Sequence, residues 1–403
     1  MSGDRPEPAS GPSSETKAFR DEVRAWIADH KPDAPSFTLP QSFLEVQTRA
    51  QFDYLRAWQR AVYEAGYLGY DVPEAYGGRG VDHTKHVIVM RELVAARAPF
   101  MVNTIGLKWV APTILKYGTE EQKKTLVQPI LSTDHIWCQG FSEPGAGSDL
   151  ASLRAKAERQ ADGSYRVTGH KVWTTIAHFA DFMILLARTE PEANKYAGLS
   201  YFLFPMGGEG VSIQPLTKMS GEGGFNQVVF DEAPMPGDAL LGEEGKGWEI
   251  AMATLTFERG AAGISGEATA ASANLLERLV ELARRSEPSA AERDQLAQLW
   301  LETEAARFGE MRARIPGLMT ERPLALPMMS KLIRSEIDQR LAALGCTLAG
   351  TGGALAAQDA EAPDGGEWPR RFMNSFGFTI GGGTSEIQRN LLAERVLGLP
   401  RSR

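Results

Sequence analysis

Cysteine is nearly absent from this 403-residue chain, and the two residues present, Cys138 and Cys346, make neither a disulfide framework nor a CxxC metal pair. Long apolar runs are missing too. No window of about 18 residues is apolar and free of charge, so no membrane-spanning helix is expected. The polar start MSGDRPEPASGPSSETK carries no apolar core of a secretory signal, and a cytoplasmic location is expected. Basic residues are not in excess: 43 Lys and Arg stand against 51 Asp and Glu, a net charge of −8. That balance argues against a general nucleic-acid binder but leaves room for an anionic small ligand at a local site. GxSxG and GxxxxGK[ST] do not occur, which removes a nucleophile elbow and a P-loop. His83 and His86 lie three apart with no further ligands clustered near them, so no metal site is expected.

What is there points to a globular protein. The hydrophobic share is 43%, and 41 glycines promise many turns and close backbone approaches. The length corresponds to two or three domains at about 150 residues each. Residues 1–14 read as a disordered Pro/Ser/Gly leader. From 15 to 134 the period is helical: Phe19, Val23, Trp26 and Ile27 recur at steps of three and four, with Ser13 or Ser14 as N-cap, and a second stripe runs through Phe52, Leu55 and Val62. From 135 to 245 the runs IWCQGF, SYRVTG, FMILLA, SYFLF, VSIQPL and NQVVF are short and rich in strand formers, which predicts a compact sheet or barrel. From 246 to 403 the helical period returns, with one stripe through Trp248, Ala251, Leu255 and Ala262, another through Leu296, Leu299, Trp300 and Thr303, and loops at 284–294 and 358–369. The fold class is therefore mainly α with a middle β domain: an N-terminal helical domain, a β-barrel-like domain and a C-terminal helical bundle.

Particular stretches can carry chemistry. FSEPGAGSDL (141–150) follows a strand and offers small residues, hydroxyls and backbone N–H groups, fit either for an anion nest or simply for a tight turn. In VTGHKVWTT (167–175), Trp173 with Thr174 and Thr175 can stack on and hydrogen-bond a flat ring, or can sit in a core. In TFERGAAG (256–263), Glu258 falls on an apolar helix stripe. A carboxylate there serves either as a general base or as the partner of an arginine such as Arg259. TIGGGTSEIQRN (379–390) sets three glycines before a Thr-Ser helix start, where backbone N–H groups can meet an anion or a ring carbonyl.

These motifs, with PEAYGGRG (73–80), YGTEEQK (117–123), FNQVVFDE (225–232) and GKGW from Gly245, occur in one order, and in that order the chain resembles the acyl-CoA dehydrogenase family over nearly its whole length. The resemblance implies FAD between the β domain and the helices, with its adenine end toward a neighbouring subunit. It implies lipid chemistry of the β-oxidation type: αβ-dehydrogenation of an acyl-CoA to the 2-enoyl-CoA, a carboxylate taking the α-proton while the β-hydrogen leaves as hydride to flavin N5. Carried over, Phe141 and Ser142 match contacts of the flavin edge, and Ser148 the serine near the pyrophosphate. Trp173 and Thr175 match isoalloxazine contacts, and Thr384 and Glu386 cofactor contacts after the glycine turn. Ser148, Arg259 and Gly382 are the expected substrate-side positions. The expected partners are an acyl-CoA, an electron-transfer flavoprotein or similar acceptor, and sister subunits in a homotetramer or an α2β2 heterotetramer.

The chain departs from the commoner family pattern in two places. Gly382 stands where many members place the catalytic glutamate. Members of the isovaleryl and long-chain type carry that base on a helix before an arginine, and this position is Glu258 before Arg259. The Arg-x-x-Phe-Gly and Gln-x-x-Gly-Gly stretches that often hold the partner's FAD are replaced by RRSEPSAAERDQ and TLAGTGGA (347–354). The departures leave open a flavin-poor subunit of a heteromeric enzyme, and another flavin chemistry on the same fold, such as an oxidase.

Overall fold

A computed structural model describes residues 14–40, 42–258, 267–313, 315, 325–356 and 359–400. Helices come first: α1 (Ser14–His30), α2 (Arg49–Glu64), α3 (His83–Ala95), α4 (Ala111–Tyr117) and α5 (Glu120–Ser132). In α2 a Thr48/Gln51 capping box closes the N-terminus, and Phe52, Leu55, Trp58, Gln59 and Val62 form one buried stripe. A Thr119/Gln122 capping box likewise starts α5. The Gln122 amide then reaches the carbonyls of Asp238 and Leu240, at 2.9 and 3.0 Å, fastening this helix to the sheet.

The middle of the chain folds into strands β1 (Trp137–Gly140), β2 (Lys156–Arg159), β3 (Tyr165–Thr175), β4 (Phe182–Arg188), β5 (Leu199–Pro205), β6 (Val211–Leu216), β7 (Phe225–Met235) and β8 (Leu240–Leu241). Among the described residues they form one sheet in the order β6-β7-β3-β2-β4-β5-β8, with β1 parallel to β4. Strands β4 and β5 are buried almost without a break, as strands covered on both faces are, whereas exposure alternates along β6. The β3–β7 pairing slips between Lys171 and Thr174: Lys171 faces Val228 and Thr174 faces Asn226, so β3 carries one extra residue. Such a bulge re-aims a side chain.

The chain closes with α6 (Gly247–Glu258), α7 (Glu267–Arg285), α8 (Ala290–Ala313), α9 (Ala325–Leu348), α10 (Glu367–Ile380) and α11 (Ser385–Leu391). The expected order of helices, sheet and helices is borne out. One core runs through α2, α4, α5 and the sheet and takes in Ile250 and Ala251 of α6; a second joins α7 to α10 around Trp368. Helix α6 is pinned to its neighbours by the Thr254 hydroxyl, 3.1 Å from that of Thr113 and 3.0 Å from that of Tyr201. A buried polar knot joins distant segments: Glu45 accepts from Asn374 at 3.0 Å, Lys218 at 3.3 Å and Arg370 at 3.0 Å, and Arg370 also pairs with Glu222.

Three local expectations are corrected. Trp300 lies off the buried stripe of α8, 58% exposed, while Leu299 and Thr303 face inward, because the 3.6-residue turn rotates position 300 to the outer face. The loop expected at 284–294 shortens to the few residues between α7 and α8, since Ser289 and Glu292 cap the start of α8 reciprocally. The loop expected at 358–369 ends early, where Glu367–Pro369 open α10 and Pro369 sits in its first turn. The leader up to Ser13, Arg259 and Ala262 lie outside the described residues. Among the described residues no helix is long and apolar enough to cross a membrane.

Candidate active site

The loop after β1 is shaped from inside. The Glu143 and Ala146 backbones bond reciprocally at 3.0 Å. The Glu143 carboxylate turns inward and accepts from the N–H groups of Arg154 and Ala155 at 2.7 and 2.8 Å, and from the Lys171 ammonium at 2.9 Å. Lys171 is wholly buried, and its ammonium also donates to the Phe141 carbonyl at 3.1 Å. Burial works to raise the Glu143 carboxyl; the Lys171 charge and the backbone donors outweigh it and hold it below the usual carboxylate range. Burial also pulls the Lys171 ammonium below its ordinary value, against the pull of Glu143. Phe141 is buried edge-on to Tyr201, Ser142 is half-buried with its carbonyl taken by the Val172 N–H at 2.9 Å, and Ser148 is exposed.

At the end of β3 the bulge turns Trp173 outward. Its φ of 61° is unusual for a bulky residue, and its indole is 58% exposed, edge-on to Phe225 at 5.8 Å. Thr175 is buried beside it, and the fully buried Thr174 hydroxyl has no protein partner. The loop and the strand end are thus neighbours, joined through Lys171 and Val172.

Glu258 closes α6 and is partly buried. A Cβ placed on Gly382 would stand 3.4 Å from the Glu258 Oε1 and 3.9 Å from Lys331 Cε. The two positions at which the base was weighed therefore meet in space. The glycine turn is held by Lys331, which donates to the Gly383 carbonyl at 2.6 Å, and by Gln388, which donates to the Gly382 carbonyl at 2.8 Å. Gly382 has φ 65°, in the left-handed region. Thr384 caps α11 by accepting from the Ile387 N–H at 3.2 Å. Thr384 and the exposed Glu386 line a cleft of about 410 Å³ with Glu336, Arg340 and Thr379. Among the described residues, no group of three or more His, Cys, Asp or Glu could hold a metal ion. Glu143, Lys171, Lys331 and Gln388 were not singled out from sequence. The available signal was an acidic residue and a lysine set among the apolar and small residues of the two richest motifs.

Against known families, residues 13–134, 138–233 and 245–397 match in turn the N-terminal, middle and C-terminal domains of acyl-CoA dehydrogenase. The chain is 38% identical over 394 residues to the acyl-CoA dehydrogenase IpdE1 of Mycobacterium tuberculosis, covering 96% of this chain and 98% of that protein. It is 31% identical over 348 residues to the human mitochondrial short-chain specific acyl-CoA dehydrogenase, covering 84% and 81% of the two chains. Among solved structures, the Tcur3481-Tcur3483 steroid ACAD superposes with a TM-score of 0.80 at 28% identity, covering 97% of this chain and 99% of that one. The ChsE4-ChsE5 complex from Mycobacterium tuberculosis does so with 0.77 at 27% identity, covering 98% and 100%. The fold and the domain series define an acyl-CoA-oxidising flavoenzyme class. This chain belongs to the acyl-CoA dehydrogenase family, and it is an oxidoreductase that acts on acyl-CoA thioesters.

Proposed function

We propose that this enzyme converts an acyl-CoA to the 2-enoyl-CoA with Glu258 as the base that takes the α-proton. The observation that carries the reading is the 3.4 Å approach of the Glu258 carboxylate to the place Gly382 leaves free of a side chain. A carboxylate there reaches the same reacting carbon as a base carried on the glycine turn. Arg259 follows it in sequence and completes the helix-borne pattern.

The residues of the first two clusters fit FAD. Trp173 offers an exposed ring at a strand end, the buried Thr174 hydroxyl has no protein partner, and the loop glycines Gly145 and Gly147 have nothing within 4 Å of a built Cβ, so a group can approach their backbone closely. Phe141, Ser142, Trp173 and Thr175 would hold the ring system, Ser148 the pyrophosphate, and Thr384 and Glu386 the remaining polar parts. When bound, the flavin supplies the two-electron acceptor for the hydride leaving the β-carbon, with an electron-transfer flavoprotein or similar acceptor downstream. The chain's own residues would bind the acyl-CoA beside Ser148 and Gly382 and hold Glu258 ready for the proton.

Gly382 permits a branched or bulky acyl group, since a glutamate side chain there would fill the turn on the α-carbon side. The steroid ACAD among the structural neighbours agrees with a ring-bearing substrate. For assembly, Leu301, Phe308 and Met311 lie exposed along α8 at helical spacing, an apolar stripe suited to a sister subunit. Either a homotetramer or an α2β2 heterotetramer uses it; the two-component names of both structural neighbours favour the mixed form. A cytoplasmic site of action belongs to the same proposal. An anaerobic flavin-bleaching screen across short, branched, long and steroid-like acyl-CoAs tests the reading. Bleaching by a ring-bearing acyl-CoA supports it, and rapid reoxidation by O₂ without need of a thioester replaces it with an oxidase.

A further inference from the structure

Resting on the flavin-dependent reading, we propose that the buried Glu143–Lys171 pair is a positioning device that sets the two edges of the flavin cradle, the Phe141–Ser142 edge and Trp173, relative to each other. Both charges are removed from water: Lys171 is 0% and Glu143 9% exposed. A buried ion pair is a weak source of stability, because desolvating two charges offsets most of their attraction, and apolar replacements are often neutral or better. Stability alone therefore gives no reason for these charges.

Their bonds give one. One carboxylate oxygen of Glu143 takes the Arg154 N–H; the other takes the Ala155 N–H and the Lys171 ammonium. The next bond of Lys171 goes to the carbonyl of Phe141, and the neighbouring Val172 N–H takes the carbonyl of Ser142. Two successive carbonyls of the β1 loop are thus fixed by two successive residues of β3. Directly beyond them the β3–β7 register slips, and Trp173 turns outward at φ 61°. Lys171 is therefore the last residue of β3 paired in register with β7 before the bulge that presents Trp173, and its ammonium also holds the residue before Ser142. Loss of its charge releases the Phe141 carbonyl and leaves Glu143 buried without a counter-charge. Glu143 and Lys171 are positioning residues in this account, since they act through Ser142 and Trp173.

The test compares wild type with Lys171→Met and with Lys171→Met/Glu143→Gln, each as the full chain, with its partner subunit where flavin binding needs one. FAD affinity is read by titration of apoprotein, the flavin environment by the visible absorption of bound FAD, and the clamp by amide hydrogen exchange at Arg154, Ala155 and Val172. The thermal midpoint reports folding. Hydrogen bonds to charged groups convert to a loss of about tenfold or more in FAD affinity in the single variant. The double variant, with no uncompensated charge, should recover most of the thermal midpoint while FAD binding stays weak, its spectrum stays altered and the loop amides exchange faster. A double variant with wild-type FAD affinity and spectrum overturns the proposal and leaves the pair a structural one. A wild type that binds no FAD, alone or with a partner, yet keeps those amides protected, shows that the clamp exists and that the flavin reading, and the proposal with it, is wrong.

Discussion

Gly382→Ala adds one methyl group at the point where the candidate base and the glycine turn meet. The new Cβ would lie 3.4 Å from Glu258 Oε1 and 3.9 Å from Lys331 Cε, which is contact without overlap. The backbone there has φ 65°, and an L-residue in that region costs about 1–2 kcal/mol. The lower entropy of the unfolded alanine chain offsets about 0.4–1 kcal/mol of this. The net loss of about 1 kcal/mol leaves the protein folded and its flavin content intact. The effect on substrate choice should be larger, because one methyl group set against a bound acyl chain discriminates by about 1–3 kcal/mol. The assay is anaerobic flavin reduction by a short linear and by a ring-bearing acyl-CoA. The bulky substrate should lose about tenfold or more in kcat/KM relative to the short one. An equal change for both, or none, refutes the argument that this glycine makes room for the acyl group.

Thr119→Ala removes the hydroxyl that accepts from the Gln122 N–H at 3.2 Å and should cost about 0.5–2 kcal/mol in a reversible unfolding experiment, with flavin content unchanged. Acid should loosen the joint between the segments that Glu45 and Glu222 tie together. Burial raises the Glu222 carboxyl, but the Asn374 hydrogen bond and the charges of Arg370 and Lys218 bring it below its ordinary 4.5. Its contribution is full above that value and is lost as pH falls through the lower folded one, so Glu222→Gln should flatten the acid limb of a stability–pH curve.

The parts of the fold that rest on local pattern were legible in the sequence. The runs read as strands became β1 and β3–β7, because β-branched and aromatic residues between turn signals leave few alternatives. Strand β2 escaped notice: KAER buries only Ala157 and is held by its neighbours, a tertiary cause that a charged four-residue run does not advertise. Trp300 fits the three- and four-residue spacing from Leu296 and Thr303, but its angle from Leu299 on α8 carries it off the buried stripe. In the site, the Thr384 cap and the helical setting of Glu258 followed from short-range rules. The Glu143–Lys171 pair did not, since the two lie 28 residues apart and meet only when the β1 loop folds back onto β3. The meeting of Glu258 with Gly382 is likewise a long-range fact, set by where α6 ends and where the turn before α11 stands.

The most direct measurement is anaerobic flavin reduction by a competent acyl-CoA in wild type and Glu258→Gln. The substitution keeps size and removes basicity. Loss of a general base costs about 10²–10⁴ in rate, while flavin content and acyl-CoA affinity should change little. Bleaching at near wild-type rate by a variant that still holds FAD would contradict Glu258 as the base. Loss of FAD or aggregation would show instead that Glu258 is a structural carboxylate.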